Sequence, residues 1–345
     1  MTTTSSCCAP SGPLGLGPGN PDPASPHGPD TNGVPWPGSA IPGAGAGRSR
    51  RQKVIPSGSF QMGDQHDEGY PADGEVPVHE VRIDSFRMDE TAVTNAQFAT
   101  FCKDTGYVTE AEQIGVSAVF HLAVDAAEAD VMHQLAETPW WVAVKGANWR
   151  HPGGPRSSIT DLQNHPVVHV SWNDAMAYCL WSGTRLPTEA EWEYASRGGL
   201  QSARFPWGDE LTPRGRWNLN VWQGRFPTHN SVEDGYLTTA PVRTFRPNDF
   251  GLYQMVGNVW EWCADRFDPG YYAVSGSDNP QGPAADELSE LAPGRAHGSD
   301  DWRVMRGGSY LCHDSYCYRY RVAARSSNTA DSASANLGFR CVRDL

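Results

Sequence analysis

Two cysteines, Cys312 and Cys317, stand five positions apart in the run Arg306-Gly307-Gly308-Ser309-Tyr310-Leu311-Cys312-His313-Asp314-Ser315-Tyr316-Cys317-Tyr318-Arg319-Tyr320-Arg321. Thiols this close can close a small disulfide, hold a soft metal ion or share redox chemistry. Four intervening residues is not one of the common zinc spacings, so on spacing alone a purely structural pair is as good a reading. The neighbours add chemistry. Ser309 and His313 bring a hydroxyl and an imidazole beside the thiols, and Arg306, Arg319, Arg321 and Arg325 bring positive charge that favours thiolate. Gly307 and Gly308 admit backbone geometry that other residues resist.

The chain that must position this pair has 345 residues, enough for one large domain or two small ones. Its net charge of −13 argues against a nucleic-acid binder and suits a basic peptide as partner. Thirteen tryptophans and twelve tyrosines, with 36 glycines and 27 prolines, point to irregular backbone pinned by large aromatics rather than to a helical bundle. No apolar run is long enough to cross a membrane. The opening residues Met1 to Cys8 lack the basic start and apolar core of a secretory signal, so the expected compartment is the cytoplasm. Eight cysteines there suit reactivity or metal binding better than a disulfide framework.

Residues 1–52 are rich in Pro, Gly, Ala and Ser and end in a basic knot, Arg48-Ser49-Arg50-Arg51; they read as a disordered tail in which Cys7 and Cys8 are incidental. Val54 to Gly63 suggests a strand and hairpin, and Val76 to Phe86 alternates like a half-buried strand. Thr94 caps a helix carrying Phe98, Phe101 and a core thiol, Cys102, and Gly106 ends it. The acidic stretch from Ala118 to Glu137 gives no clear element. Trp140 to Arg150, dense in aromatics, reads as core before binding surface. His165 to Val170 reads as a strand with both histidines on one face, short of a metal site for want of a carboxylate. Ser171 with Asp174 caps a helix carrying Met176, Cys179 and Leu180, which ends at Gly183. Thr188 with Glu191 caps another, stopped by Gly198-Gly199. From Phe205 to Glu261 the chain reads as loop, with Asn220, Asp234 and Glu261 as hard oxygen donors. Residues 268–300 read as a surface insertion.

The run from Gly307 to Arg321, with Ala323-Ala324-Arg325-Ser326 and Asn336-Leu337-Gly338-Phe339-Arg340-Cys341 after it, resembles the C-terminal signature of the formylglycine-generating enzymes, or sulfatase-modifying factors. The resemblance reaches back to about Val54, and Arg185 to Glu193 matches a further hallmark of the wider family. It implies a single compact, loop-rich α+β domain over residues 53–345, related to C-type lectin-like architecture; composition alone gives only a loop-rich α+β fold. It implies O₂-dependent oxidation of a cysteine to Cα-formylglycine in an extended Cys-x-Pro-x-Arg segment of a newly made sulfatase. By the same resemblance Cys312 and Cys317 would hold Cu(I), which two thiolates suit, and the substrate thiolate would complete a three-sulfur site. Ser309 would orient substrate or oxygen, and Trp260, His313 and Tyr316 would line the pocket. One Ca²⁺ would sit at Asn220, Val221, Asp234 and Tyr236, with Val221 and Tyr236 giving main-chain oxygens. A second would sit at Gln254, Gly257, Val259 and Glu261, Gln254 standing where family members can carry asparagine. Secretory relatives bridge the positions of Cys179 and Cys341, and carry a second bridge whose positions hold Ser196 and Val322 in this chain. The chain is expected to act as a monomer, away from membranes and nucleic acid. Two alternatives stand beside this reading. An iron-dependent sulfoxide synthase on the same scaffold would carry an extra helical metal-binding domain, and a non-catalytic lectin-like module would need no cysteine pair.

Overall fold

The computed structural model describes residues 51–136, 138–289 and 301–345. Most of the expected tail, with Cys7 and Cys8, lies outside these residues, as do Glu137 and the end of the 268–300 insertion. In chain order the elements are β1 (Gln52–Ile55), β2 (Gly58–Met62), β3 (His79–Ile83), β4 (Phe86–Asp89), α1 (Asn95–Thr105), α2 (Glu110–Ile114), β5 (Val116–Phe120), β6 (Val131–Gln134), β7 (Trp141–Lys145), α3 (Trp172–Ser182), α4 (Glu189–Arg197), β8 (Gly224–Arg225), β9 (His229–Asn230), β10 (Trp260–Arg266), β11 (Trp302–Arg306), β12 (Arg325–Thr329), β13 (Leu337–Gly338) and β14 (Val342–Asp344). Short strands, four α-helices and long ordered loops make a loop-rich α+β domain, as expected.

The helices form where the capping chemistry places them. Thr94, Thr109, Ser171 and Thr188 each accept the N3 backbone N–H, and the N3 side chain bonds back to the cap. Each helix ends on a glycine in the left-handed conformation. Phe98 and Phe101 of α1 pack on Tyr178 of α3, with Trp149 and Phe339 closing the same aromatic core. Cys102 is buried there, and burial pushes its thiol up to about 12, the behaviour of a core residue rather than a ligand. On α3, Leu180 points outward and the buried face is Ala175, Ala177, Tyr178, Cys179 and Trp181.

The strands hold three surprises for the sequence reading. β1 and β2 do not form a hairpin: β1 pairs with β4, which also takes β14, and β2 pairs with β3. The link Pro56-Ser57 sends the two strands into different sheets. The stretch from Ala118, unreadable in sequence, belongs to a sheet in which β5 and β6 flank β7. His165 to Val170 is not a strand. His169 has φ 57°, which breaks the alternation that would put both histidines on one face. Its ring is buried between the Ser117 hydroxyl and Pro152 O, while His165 faces Thr239. The two histidines are therefore no half of a metal site.

The principal sheet runs β12-β11-β10-β13, antiparallel except for β10 beside β13. It carries α4 against it, and every residue of α4 is buried. Glu189 receives Arg306 Nη1 at 2.8 Å and Arg325 Nη2 at 2.7 Å; Glu193 receives Arg306 Nη2 at 2.5 Å and Arg197 Nη2 at 2.7 Å. Burial pushes the Glu193 carboxyl up, but Arg197, Arg306 and the Gly63 N–H outweigh it and hold it below its ordinary value. Glu261 of β10 is clamped by Arg340 through Nε at 2.6 Å and Nη2 at 2.7 Å.

The Cys179 and Cys341 sulfurs lie 3.7 Å apart, buried, joining α3 to the C-terminal segment. A bond would bring them to about 2.05 Å, so they are thiols in contact. Mild oxidation of the folded protein is expected to join them and raise the thermal midpoint. Closing a loop of 162 residues stabilises by about 5 kcal/mol in the chain-entropy model. An unchanged midpoint after the bond is shown by thiol counting under denaturation would contradict this.

Asp265 is fully buried and accepts the Glu189 N–H at 2.8 Å. Burial, then the nearby Glu189 carboxylate, push its pKa from 3.8 up to about 8. Between those values the native state keeps a proton that the unfolded chain has lost. This contribution to stability is therefore greatest below the lower value and falls as pH rises toward the upper one. Asp265→Asn keeps the acceptor without ionising. The drop in thermal midpoint between about pH 5 and about pH 9 is expected to be smaller in the variant than in the parent protein; equal drops would assign the pH dependence to other groups.

Candidate functional site: a buried thiol pair

β11 delivers the chain to the site, and the two glycines after it turn the chain. Gly307 and Gly308 have φ 95° and 72°. A side chain at Gly307 would meet Met255 O at 2.8 Å, and one at Gly308 would meet Arg319 O at 2.9 Å, so both positions need glycine. Two tight turns follow. The Cys312 N–H donates to Ser309 O at 2.9 Å, and the N–H groups of Tyr316 and Cys317 converge on His313 O at 3.0 and 2.6 Å. Together they fold the four-residue spacer back on itself. The Cys312 and Cys317 sulfurs end 3.2 Å apart, both buried and too far apart to be bonded.

The loop is seated on its neighbours by backbone hydrogen bonds. Trp222 N–H donates to Cys312 O at 3.0 Å, and Tyr310 N–H donates to Asn258 O at 3.0 Å. Ser309 N–H points at Cys312 Sγ, 3.3 Å away. Ser309 Oγ accepts the Leu311 N–H at 3.3 Å and the Asn336 side-chain N–H at 2.9 Å, leaving its own O–H to turn elsewhere. Both cysteines help line a small recess, with Trp140, Trp141, Ser309, Leu311 and Tyr316. Tyr316 stacks on Phe226 with centroids 4.3 Å apart, and Trp140 meets both rings edge-on.

Of the residues singled out in sequence, the structure brings Cys312, Cys317, Ser309 and Tyr316 together. Trp260 and His313 do not line the recess. Trp260 opens β10 and is wholly buried in the main core; it reaches the site through its backbone, its N–H donating to Asn336 O at 2.9 Å. The His313 ring turns to Ser315 Oγ at 2.7 Å and Asp314 at 3.0 Å, and its contribution to the loop is its carbonyl. The arginines also divide. Arg306 and Arg325 are engaged by the α4 carboxylates and Arg321 by Glu75. Arg319 reaches the thiols, with Nη1 3.9 Å from Cys317 Sγ. Trp140, Trp141, Leu311 and Asn336 were missed as site residues. The aromatic density around Trp140 was the available signal, but it reads equally as core, and Trp141 and Trp149 are core.

Among the described residues no three or more His, Cys, Asp or Glu side chains converge as a metal site. A metal at the recess would therefore rest on the two thiols and a ligand from outside, a soft donor set that fits Cu(I).

The oxygen-rich loops beneath fit a hard cation in different degrees. At the first candidate Ca²⁺ position the Asn220 side-chain oxygen is buried without a hydrogen-bond donor. The Gln223 amide nitrogen presses on both Val221 O and Asp234 Oδ2, so these oxygens already converge. Burial pushes the Asp234 carboxyl up, a cost that a cation would relieve. At the second, the Gln254 side-chain oxygen is likewise buried without a donor. Glu261, however, already accepts three hydrogen bonds, two from Arg340 and one from Trp192. A carboxylate offers about four acceptor positions, so Glu261 keeps one for an ion.

A family model described as the sulfatase-modifying factor enzyme 1-like domain matches residues 41–345. A formylglycine-generating enzyme of Streptomyces coelicolor is 61% identical over 308 residues, covering 89% of this chain and 94% of that protein. One of Mus musculus is 53% identical, covering 84% of this chain and 74% of its own length. A Bos taurus protein called inactive Cα-formylglycine-generating enzyme 2 is 43% identical over 86% of this chain and 89% of its own. Among solved structures, PvdO from Pseudomonas aeruginosa shares the fold, with a TM-score of 0.61 at 24% identity, covering 85% of this chain and 94% of that one. The thiol pair thus sits in a chain that belongs to the sulfatase-modifying factor family, the family of the formylglycine-generating enzymes.

Proposed function

We propose that the protein oxidises a cysteine of a substrate sulfatase to Cα-formylglycine, with Cys312 and Cys317 holding Cu(I) and O₂ as the oxidant. The observation that carries this reading is the pair of buried sulfurs 3.2 Å apart in the wall of the recess. Relatives called inactive share the scaffold, so the argument rests on the pair and not on the fold. Cu(I), when bound, supplies the redox chemistry between a third thiolate and O₂ that sulfur ligands alone lack. Converting the thiol carbon to an aldehyde with loss of sulfide releases two electrons. Reducing O₂ to water takes four, so two equivalents of an external thiol, joined as a disulfide, supply the other two.

The chain's own groups have separate tasks. Cys312 and Cys317 present two sulfurs on one side of the recess and leave the third position to the substrate. Ser309, its oxygen fixed by Leu311 and Asn336, can donate its O–H to a bound sulfur or oxygen. Trp140, Trp141 and Leu311 exclude water. The partly exposed cluster of Trp140, Phe226 and Tyr316 suits a proline-bearing extended segment such as Cys-x-Pro-x-Arg. The acidic chain as a whole favours its arginine. Calcium at Asn220, Val221, Asp234 and Tyr236 would do no chemistry. It would stiffen the loop whose Trp222 N–H holds Cys312 O, and a second ion at Gln254, Gly257, Val259 and Glu261 would do the same for the turn before β10. A reducing, cytoplasmic setting fits the Cys179 and Cys341 thiols and the residues Ser196 and Val322, which cannot form a second bridge.

Mass spectrometry of a Cys-x-Pro-x-Arg peptide after incubation with copper-loaded protein, a reducing thiol and air is expected to show loss of sulfur and gain of an aldehyde. Cys312→Ala and Cys317→Ala should each abolish tight Cu(I) binding and product, whereas Ser309→Ala should fold normally and turn over more slowly. Full activity in either cysteine variant would sink the mechanism.

Asp234→Ala is expected to lower the thermal midpoint in calcium-containing buffer while leaving Cu(I) affinity within about threefold. A midpoint that neither chelation nor this substitution moves would remove calcium from the account.

A further inference from the structure

Arg319 is buried and held at every face of its guanidinium. Nε and Nη2 donate to the two oxygens of Asp73 at 2.5 and 3.0 Å. The group lies 4.2 Å over the Tyr70 ring, and Tyr70 in turn accepts the Tyr318 N–H through its hydroxyl at 3.1 Å. The remaining arm, Nη1, points at Cys317 Sγ, 3.9 Å away. The arrangement is built from two distant parts of the chain. Asp73 lies in a one-turn helix, Pro71–Asp73, fixed by Gly74 in the left-handed conformation. Arg319 lies two residues beyond Cys317, with its carbonyl against Gly308. The next arginine along, Arg321, makes the same kind of fork with Glu75, at 2.8 and 2.9 Å, and has no sulfur contact among its hydrogen bonds.

Two thiolates around a monovalent ion leave net negative charge in a buried place, and a substrate thiolate adds more. Buried charge is tolerated when a fixed opposite charge or a charged donor faces it. We propose that Arg319, aimed by Asp73 and Tyr70, is the charged donor that faces the cysteine pair and sets how tightly the pair holds Cu(I). The inference rests on the copper reading above and names a positioning residue for it, not a ligand.

The test is anaerobic Cu(I) competition against a chromophoric chelator, using full-length protein and four variants. Arg319→Met and Arg319→Gln remove the charge, and the glutamine can still donate to Asp73 if the methionine variant does not fold. Each is expected to weaken Cu(I) binding about tenfold or more, one pK unit of interaction or beyond. Arg319→Lys keeps the charge but loses the fork to Asp73, so it should bind Cu(I) more tightly than Arg319→Gln and less tightly than the parent. Arg321→Met, which breaks a buried clamp on the same loop without a sulfur contact, should weaken Cu(I) binding clearly less than Arg319→Gln even where it lowers the thermal midpoint as much. Parent-like Cu(I) affinity in folded Arg319→Gln would overturn the proposal, as would an equal loss in Arg321→Met, which would mark a general structural effect. A parent protein that binds no Cu(I) would sink the copper reading and this proposal together; the other two outcomes leave that reading standing.

Discussion

Glu189 and Glu193 stand one turn apart on α4, sealed from solvent, and the geometry of the site depends on the guanidinium groups they gather. A carboxylate taken out of water costs several kcal/mol unless its lone pairs are filled, and removing one partner of a buried pair costs about 3–5 kcal/mol. Both carboxylates are filled. Glu189 takes Arg306 and Arg325, and Glu193 takes Arg306, Arg197 and the Gly63 N–H. Arg306 is the last residue before the glycine turn, and Arg325 opens the strand that follows the cysteine loop. The register of one helix thus fixes the backbone on both flanks of the thiols. Arginine suits the task because its planar fork holds two acceptors at once, which an ammonium cannot do in a fixed geometry.

The cysteine loop needs such fixing because little inside it is regular. Between Arg306 and Arg325 there is no strand or helix; tight turns and single backbone hydrogen bonds to Gly257, Asn258, Trp222 and Arg204 hold the chain. Arg319 and Arg321 tie its returning limb to Asp73 and Glu75, some 246 positions earlier in the chain. Holding two sulfurs within 3.2 Å of each other in irregular backbone means restricting many torsions, at about 1–2 kcal/mol of entropy per residue. Ionic clamps at the ends and aromatic packing at the tip offset that cost.

Much of this frame was legible in sequence, and what was not has physical reasons. Thr94, Ser171 and Thr188 announced their helices because a capping box is a local device, complete within four residues. The cysteine pair, Ser309 and Tyr316 were legible because they sit in one short run. Strand partners were not legible: β1 and β2 are neighbours in sequence yet pair with β4 and β3, and nothing local distinguishes that from a hairpin. His169 failed as a strand residue because its φ of 57° serves contacts with Ser117 and Pro152, set by tertiary packing. The four arginines read as one cloud of positive charge, yet sequence cannot show that Glu189, Glu193 and Glu75 engage three of them.

That sorting of charge also bears on which ions the chain can tell apart. Affinity alone does not select a metal; donor type and geometry do. Among the described residues the recess walls are sulfur, aromatic rings, the hydroxyls of Ser309 and Tyr316 and a leucine, with no carboxylate or imidazole. Hard donors lie below, where Asn220 and Gln254 oxygens are buried without hydrogen-bond donors. The recess walls therefore offer soft donors, and the supporting loops offer hard ones. Glu189 and Glu193, the carboxylates tied to the flanks of the thiol loop, add to neither set, because their oxygens are already taken by arginine.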